Sequence, residues 1–366
     1  DLADTDREFE FTETDDYTDL IDDIKKNKEF AFKSLYNGEN YIHSVIYKLA
    51  IKTANSKAYI IKADENFITN FKEIFADKTI IKNSFDIKED VVLLDKLGID
   101  LALPYNDAML MHYLIDPSRS SYDVKTLSQT YSDFEVINEV DLIGKGAKTK
   151  KYEDIDQDEL NSYMASVLYT IENSKEKLEE ELKSYKMYDL YQDIEIKLSK
   201  VLASMEIAGF VTDINVLEKL KAEIDEVLKG LTSEIYELAG SEFNINSTKQ
   251  LGEVLFKDLE LPVIKKTKTG FSTDASVLEK LRDEHQIIPK IEQYREMYKL
   301  RSTYIEGLES AIDEDGRIRS TFRQSIASTG RLSSTEPNLQ NLPIRTEEGR
   351  KIRKAFKASP GKVLID

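Results

Sequence analysis

The segment from Arg323 to Phe356 constrains this chain more than any other, because it concentrates cations, amides and hydroxyls in one loop-rich stretch. It reads R-Q-S-I-A-S-T-G-R-L-S-S-T-E-P-N-L-Q-N-L-P-I-R-T-E-E-G-R-K-I-R-K-A-F. Gly330, Pro337 and Pro343 interrupt it, so the pattern predicts a structured loop rather than a plain helix face. Guanidinium groups reach phosphates and base edges, and amides both donate and accept hydrogen bonds.

The charge of the region supports the same interpretation. Between residues 317 and 362 basic side chains outnumber acidic ones several-fold, although the formal net charge of the whole chain is −18. A local basic strip on an acidic protein is typical of a polyanion-binding surface. A solvated basic surface without a partner is the plain alternative.

Composition excludes several other classes of protein. The 366 residues suffice for two or three domains, and contents of 40% hydrophobic and 33% charged residues are typical of a globular protein. No apolar run is long enough for a membrane span, and no leader pattern opens the chain, so we expect a cytoplasmic protein without a membrane partner. The absence of cysteine excludes disulfides and thiolate zinc sites. His43, His112 and His285 are scattered, so we expect no histidine metal site.

The order of residues in the C-terminal segment carries a specific resemblance. T-G-R-L-S-S-T-E-P-N-L-Q-N-L-P-I-R followed by E-E-G-R-K-I-R-K-A-F closely resembles the entry to the palm of the bacterial DNA polymerase I family, the family A polymerases. The resemblance implies that Arg331 reads the minor groove at the primer terminus, where correct base pairs present similar acceptors. It implies that four further residues position the template and the motif A side of the site: Asn338, Gln340, Asn341 and Arg345.

In that family the segment leads into motif A, the strand that carries the first metal-binding aspartate. The chain ends G-K-V-L-I-D, and by the resemblance Asp366 precedes that aspartate. We therefore expect no catalytic residue in this chain. Mg²⁺ and deoxynucleotide are expected as cofactor and substrate of the complete polymerase only.

The first half of the chain predicts a mixed α/β domain. Strand-like runs at residues 29–32, 41–52, 58–61 and 79–82 are interspersed with helical runs at 67–75, 87–98 and 107–117, and Asn37-Gly38 is placed to turn the first hairpin. K-N-S-F-D-I-K-E-D-V-V-L-L-D-K-L-G-I-D and D-A-M-L-M-H-Y-L-I-D-P resemble the 3′–5′ exonuclease domain of the same family, which implies an RNase H-like fold.

Such an exonuclease clamps two divalent metals with about four carboxylates. By the resemblance, Lys33 and Leu35 occupy the two acidic positions of the first motif, Asp86 survives in the second, and Val167 replaces the acid of the third. One carboxylate cannot hold two ions and Lys33 would repel them, so we predict a degenerate exonuclease site without metal. Asp86 then becomes a surface or capping residue.

Two segments of the second half carry phosphate-binding chemistry. Asn244, Asn246 and Ser247 precede a helix whose N-terminus suits a phosphate, and simple capping is the alternative. Residues 265–274, K-K-T-K-T-G-F-S-T-D, form a phosphate-gripping loop or an ordinary exposed lysine loop. Both resemble the family's thumb, which implies sequence-independent contacts to the duplex backbone from Lys266, Thr267, Lys268 and Ser272, and from Arg295, Lys299 and Tyr304 on the following helix.

The predicted organisation is an RNase H-like, vestigial 3′–5′ exonuclease domain over residues 1–187 and the first part of a polymerase domain over 188–366. The latter divides into a mainly helical thumb at about 212–300 and the start of the palm at about 301–366. Residues 317–326 are predicted to form one palm strand. The predicted function is binding of primer–template DNA for template-directed synthesis. The alternatives are a non-catalytic half of a split polymerase that needs a second, C-terminal chain, and an active nuclease.

Overall fold

The computed structural model describes residues 8–268, 270–344 and 346–365. Within these ranges the strands, in chain order, are β1 Phe11–Glu13, β2 Glu29–Asn37, β3 Val45–Lys52, β4 Ala58–Ile61, β5 Ile81–Ser84, β6 Tyr105–Asp107, β7 Phe210–Thr212, β8 Lys266–Thr267, β9 Gly270–Phe271, β10 Arg317–Ile318, β11 Thr321–Arg323, β12 Ser333–Thr335 and β13 Phe356–Lys357.

The α-helices of the same ranges are α1 Thr18–Asn27, α2 Glu65–Ala76, α3 Ile87–Asp95, α4 Ala108–Ile115, α5 Val124–Tyr131, α6 Glu139–Ile143, α7 Gln157–Ser184, α8 Tyr188–Leu190, α9 Ile196–Ala208, α10 Ile214–Ala239, α11 Thr248–Glu253, α12 Ala275–Leu281, α13 Ile287–Lys299, α14 Glu306–Ser310 and α15 Glu347–Arg353. Short 3₁₀ turns lie at Gly146–Lys148 and Tyr152–Asp154, and π-helical segments lie at Tyr191–Glu195, Val254–Asp258 and Leu300–Ile305.

The described residues divide into two compact units. The first contains the residues up to Ala208 together with Thr321–Thr335, and the second contains Gly209–Ser320 and the residues from Glu336 onward. The segment 321–335 thus packs with the N-terminal half of the chain. The predicted domain boundary at residue 187 stays a prediction.

The first unit is built on a six-stranded sheet with the order β1-β4-β3-β2-β5-β6. β2, β3 and β4 form an antiparallel meander, whereas β1 joins β4, β5 joins β2, and β6 joins β5 in parallel. Helices cover both faces, which explains why β2 buries side chains on both sides. The prediction of a mixed α/β domain is confirmed.

Aromatic residues form the core on one face of this sheet. Phe67, Phe71 and Phe75 repeat every four residues, which places them on one side of α2. They pack against Phe30 and Phe32 of β2, with ring centroids of Phe32 and Phe75 5.0 Å apart. On the other face, α7 covers the sheet in a second apolar cluster that includes Leu35 and Val167.

The second unit is mainly helical. Apolar residues recur at helical spacing along α10, and those from Leu217 to Ile235 are buried in one core with residues of α13. Gly209 follows α9 with a φ of 59°, and Asp213 caps α10 by accepting a hydrogen bond from the amide of Asn215 at 3.0 Å. Gly209 and Asp213 thus mark the end of one helix and the start of the next. A small sheet with the order β10-β7-β13 completes this unit.

Asn37-Gly38 lies where the β2–β3 hairpin turns, as predicted: β2 ends at Asn37, and residues 38–44 form the connecting loop, in which Asn40 Oδ1 accepts the amide of Ile42 at 2.8 Å. One strand prediction was wrong. The predicted strand over 317–326 is broken, because β10 pairs with β7 whereas β11 pairs with β12. Alternation alone does not reveal which partner a strand finds. Among the described residues no helix is long and apolar enough to cross a membrane.

Candidate functional site

The loop before α11 uses its polar side chains to hold its own backbone. Asn244 Oδ1 accepts the amide of Asn246 at 3.0 Å, and Ser247 Oγ accepts the amide of Gln250 at 3.3 Å. The side-chain amide of Asn246 donates to the hydroxyl of Tyr294 at 3.1 Å. Ser247 therefore caps α11 and Asn244 closes the turn before it, while the exposed Asn246 lies close to α13.

The lysine-rich loop is a two-stranded hairpin of β8 and β9 that presents Lys266, Thr267 and Lys268 to solvent. Ser272 differs from them, because it is buried and its hydroxyl donates to the carboxylate of Asp274 at 2.8 Å. Hydrogen bonds from Ser276, Lys265 and Ser272 lower the pKa of Asp274 below its usual range. Ser272 thus fixes the base of the hairpin, and the exposed lysines remain available for phosphates.

Arg295 braces the same hairpin from α13. It is partly buried, and its guanidinium donates to the carbonyl of Thr273 and, at 3.0 Å, to the hydroxyl of Thr273. Burial lowers the pKa of Arg295 somewhat, which leaves it charged at neutral pH. Lys299, one turn further on, is exposed, whereas Tyr304 is partly buried against the core of this unit.

These elements surround one cleft of about 800 Å³ in the second unit. It brings together four of the predicted residues, namely Asn246, Thr267, Ser272 and Arg295. Its wall also contains Lys249 and Lys257, which the sequence analysis missed. Lys249 lies on α11 and Lys257 on the π-helical segment that continues it, so the available signal was two lysines on the helical stretch that follows the Ser247 cap.

The amide-rich segment after β12 is organised by Asn338. Its Oδ1 accepts the amides of Gln340 at 3.0 Å and of Asn341 at 3.2 Å, and all three side chains lie on an exposed turn. Arg345, the fourth residue predicted for this group, lies outside the described residues.

Arg331 belongs to the first unit, whereas the other described residues predicted to bind DNA belong to the second. It follows a turn in which the amide of Gly330, with a φ of 74°, donates to the carbonyl of Ala327 at 3.1 Å. Its side chain is exposed. Among the described residues no ion pair or hydrogen bond holds its guanidinium, which is therefore available to a ligand.

The basic strip is less free than its composition indicates. Arg319 pairs with Asp313 and Asp315, Lys351 pairs with Glu223 at 3.3 Å, and Lys357 pairs with Asp213. These side chains stabilise the second unit itself, so the local excess of positive charge overstates the charge available for a polyanion.

The positions predicted for a degenerate exonuclease surround a cavity of about 330 Å³ in the first unit. Lys33, on β2, extends its ammonium to 3.3 Å from Glu89 Oε2 and 3.3 Å from Asp90 Oδ2, both on α3. Asp90 is completely buried and also accepts the amide of Ser34 at 2.9 Å and the hydroxyl of Ser84 at 2.6 Å. Leu35 and Val167 are buried in the apolar cluster beside it.

The charges of this cavity depend on one another. Burial favours the neutral form of Lys33, but Asp90 and Glu89 outweigh it and raise its pKa above the ordinary value. Burial and the neighbouring Asp86 raise the pKa of Glu89 to about 8. Lys33 is therefore a charged group whose partners are fixed in place.

Asp86 was predicted to be a surface or a capping residue; it lies at the N-cap position of α3 and is partly exposed, but its side chain makes no capping hydrogen bond. It has a left-handed backbone, with a φ of 53°, and its amide donates to Asp107 Oδ1 at 3.1 Å. Asp107, from β6, also accepts the amide of Ile87 at 2.9 Å. The cap therefore comes from a distant part of the chain, and the carboxylate of Asp86 faces the cavity.

The cavity contains more carboxylates than the motif positions indicated, because Glu89, Asp123 and Glu139 line it together with Asp86. Most of them are engaged: Asp123 accepts the amide of Thr126 at 2.8 Å, and Glu139 accepts the hydroxyl of Tyr152. Within the described ranges no three acidic or histidine side chains converge closely enough to hold a metal ion. The residues present do not fit a two-metal centre.

Comparison with known proteins matches both units. Residues 34–174 match the family described as DNA polymerase I, ribonuclease H-like domain, and residues 214–366 match DNA polymerase family A. The chain therefore belongs to the DNA polymerase I family, with a ribonuclease H-like domain followed by part of a family A polymerase domain. The predicted family and fold class are confirmed.

Individual relatives agree with this assignment. The chain is 39% identical to DNA polymerase I of Bacillus subtilis over 364 residues, which are 99% of this chain and 41% of that protein. It is 41% identical to DNA polymerase I of Geobacillus stearothermophilus over 329 residues, which are 90% of this chain and 37% of that protein. The chain thus spans about two fifths of the length of these relatives.

A solved structure is similar over nearly all of the chain. It is the POL domain of Pol1 from M. smegmatis in complex with DNA primer-template and dNTP. The TM-score is 0.82 at 29% sequence identity, and the match covers 96% of this chain and 59% of that chain.

Proposed function

We propose that this chain is the part of a DNA polymerase I that binds primer–template DNA for template-directed DNA synthesis. The family assignment, together with the DNA- and dNTP-bound state of the similar Pol1 structure, carries the proposal. A cytoplasmic location, where the DNA is copied, is part of it.

In this proposal the hairpin and cleft of the second unit hold the duplex backbone. Lys266 and Lys268 are exposed at the hairpin and Lys249 lines the cleft, so three ammonium groups are available to phosphates, whereas Lys257 pairs with Glu253 at 3.4 Å. Contacts of this kind are independent of base sequence, as copying any template requires. Ser272 and Arg295 contribute by fixing the hairpin.

Arg331 is proposed to contact the primer terminus. Its exposed guanidinium follows a turn of defined geometry, so it can present donors to the minor-groove acceptors that all correct base pairs share. Asn338, Gln340, Asn341 and Arg345 are proposed to position the template strand.

Family A polymerases use divalent metal ions, and we propose Mg²⁺ and a deoxynucleotide for the complete enzyme. The carboxylates that would hold the ions are proposed to lie in the part of the polymerase domain that this chain does not span. What the described residues contribute is binding and orientation of the DNA.

We further propose that the ribonuclease H-like domain has no exonuclease activity. The supporting observation is that Lys33 places a fixed positive charge against Glu89 and Asp90, where the activity would need cations bound from solution. Incubation of the chain with single-stranded DNA and Mg²⁺ should release no nucleotides. Release that disappears in Asp86→Ala would contradict this proposal.

The test of the main proposal is primer extension and primer–template binding, with this chain alone and with a second polypeptide that supplies the rest of the polymerase domain. We expect binding by the chain alone and nucleotide addition only with the supplement, which would also be the behaviour of a split polymerase. Extension by the chain alone, or failure to bind primer–template at low salt, would refute the proposal.

Arg331→Ala tests the assigned role at the primer end. We expect the rate of addition to a matched primer to fall at least tenfold and discrimination against a mispaired primer to change, while affinity for blunt duplex stays within about twofold. An equal loss on every duplex, with unchanged discrimination, would argue against the role.

A further inference from the structure

The hairpin that carries Arg331 is anchored by side chains of the first unit: Asn40 and Tyr113 lie within the ribonuclease H-like match at residues 34–174, and Glu195 and Glu206 lie in the helical segment that follows it. We call Thr321–Thr335, which contains β11, β12 and the loop between them, the Arg331 hairpin. We propose that the ribonuclease H-like domain, together with the helical segment Tyr191–Ala208, functions as the support that holds this hairpin in the geometry needed at the primer terminus. This proposal rests on the role proposed for Arg331.

The turn immediately before Arg331 is held by Tyr113 of α4. The hydroxyl of Tyr113 donates to the carbonyl of Ala327 at 2.7 Å. The same carbonyl accepts the amide of Gly330 at 3.1 Å, so one oxygen closes the turn and ties it to α4. The ring of Tyr113 is buried and packs edge-on against Tyr122, with centroids 5.5 Å apart, which limits the movement of the hydroxyl.

The first strand of the hairpin is held by a buried ionic network. Glu206, at the end of α9, is completely buried and its Oε1 accepts the backbone amide of Phe322 at 2.8 Å. The same oxygen accepts the ammonium of Lys88 from α3 at 2.6 Å, and Oε2 accepts the hydroxyl of Tyr41 at 2.9 Å. A charge-assisted bond to a backbone amide fixes the strand rather than one side chain.

Two further contacts complete the anchoring. The side-chain amide of Gln324 donates to the carbonyl and the carboxylate of Glu195, at 3.0 and 2.8 Å. The side-chain amide of Asn40 donates to the hydroxyl of Thr321 at 3.1 Å. The hairpin is thus bonded at its start, along its first strand and at its turn, by residues from four separate parts of the first unit.

These anchors have a consequence for function. A residue that tests the shape of a terminal base pair must be positioned within a fraction of an ångström. The guanidinium of Arg331 is exposed, so its accuracy depends on the backbone that carries it. Tyr113, Gln324 and Glu206 are therefore positioning residues, and the domain has a task that needs neither metal nor nuclease chemistry.

Tyr113→Phe tests the anchor at the turn, with Tyr122→Phe as a matched control. Tyr122 loses a similar hydroxyl, which donates to the carbonyl of Asp116 at 2.8 Å, away from the hairpin. By hydrogen exchange on this chain, the peptide spanning residues 324–335 should exchange about threefold to tenfold faster in Tyr113→Phe and at the original rate in Tyr122→Phe. Equal exchange in the two variants would overturn the proposed anchoring.

The effect of the anchor on primer extension is tested in a polypeptide that carries this chain together with the rest of the polymerase domain. Tyr113→Phe should lower addition to a matched primer end about threefold to tenfold without changing primer–template affinity. Combined with Arg331→Ala, it should cause no further loss, because both act through one group. If Arg331→Ala lowers addition to a matched primer end but Tyr113→Phe does not, the support role is wrong; if Arg331→Ala itself has no effect, the role proposed for Arg331 fails.

Discussion

Replacement of Lys33 by methionine tests whether an internal cation holds the ribonuclease H-like domain together. The ammonium lies 3.3 Å from both Glu89 and Asp90, whose side chains are 17% and 0% exposed. At an effective dielectric constant of about 20, two ionised groups at this distance attract one another by about 5 kcal/mol, much of it offset by lost hydration. Because the pKa of Glu89 is raised to about 8, its contact with Lys33 reaches this value only above that pH. Removal of one partner from such a buried group costs about 3–5 kcal/mol.

The matched control is Lys197→Met, because Lys197 pairs with Asp193 at a similar distance of 3.1 Å but with side chains 54% and 74% exposed. An exposed pair of this kind contributes less than about 0.5 kcal/mol. Urea unfolding followed by circular dichroism measures both variants. A triple variant that adds Glu89→Gln and Asp90→Asn to Lys33→Met should recover most of the lost free energy of unfolding, because it removes the two carboxylates that Lys33→Met leaves uncompensated.

The pH dependence supplies a second readout. Without Lys33, burial raises the pKa of Glu89 and Asp90 further, so the folded state keeps protons that the unfolded state releases. The free energy of unfolding of Lys33→Met therefore falls as pH rises from about 4 through the raised pKa values. The stability that the variant has lost relative to the unsubstituted chain is larger at pH 8 than at pH 5. A deficit no larger than that of Lys197→Met, or one independent of pH, would refute the reasoning.

Three smaller predictions follow from single positions. Gly209→Ala should cost about 1–3 kcal/mol in urea unfolding, since φ is 59° and the added methyl would lie 2.9 Å from the nearest atom. Burial lowers the pKa of His112 to about 4. Its neutral form therefore stabilises the fold fully above pH 6.5, and up to about 3 kcal/mol of the free energy of unfolding is lost as pH falls to 4. His112→Phe should remove this pH dependence of stability, and His43→Phe should leave it in place. Alanine at Lys266 or Lys268 should weaken DNA binding uniformly and lower the salt slope by about one each, which fluorescence anisotropy at several salt concentrations measures.

The features predictable from the sequence are those set by local periodicity. The apolar residues of α10 recur at helical spacing, and they are the ones the structure buries, because helix geometry alone decides which residues share a face. Gly209 and Asp213 mark boundaries for equally local reasons, a left-handed backbone and a side-chain cap.

The features that were missed depend on partners distant in the chain. Asp107 lies about twenty residues along the chain from the helix it caps. The residues next to Asp86 therefore gave no sign that the cap comes from elsewhere and that the carboxylate of Asp86 is not used for it. The alternation over 317–326 was real, but its two halves pair with different strands. Likewise, the basic strip includes Arg319 by composition, but its charge is neutralised by Asp313 and Asp315.

The cavity around Lys33 shows why counting ligand positions supports the proposed lack of metal binding less well than charge geometry does. Counting motif positions predicted one carboxylate, yet four carboxylates line the cavity, so a shortage of acids does not support that proposal. Lys33 provides the stronger reason, because its ammonium occupies the charge-compensating role that an ion would otherwise fill, and it is tethered, so dilution cannot remove it. A bound ion would have to displace this ammonium or tolerate it at close range, at a cost of several kcal/mol either way. Any change that restores metal binding must therefore remove Lys33 first; adding acids at positions 35 or 167 alone would only increase the buried negative charge.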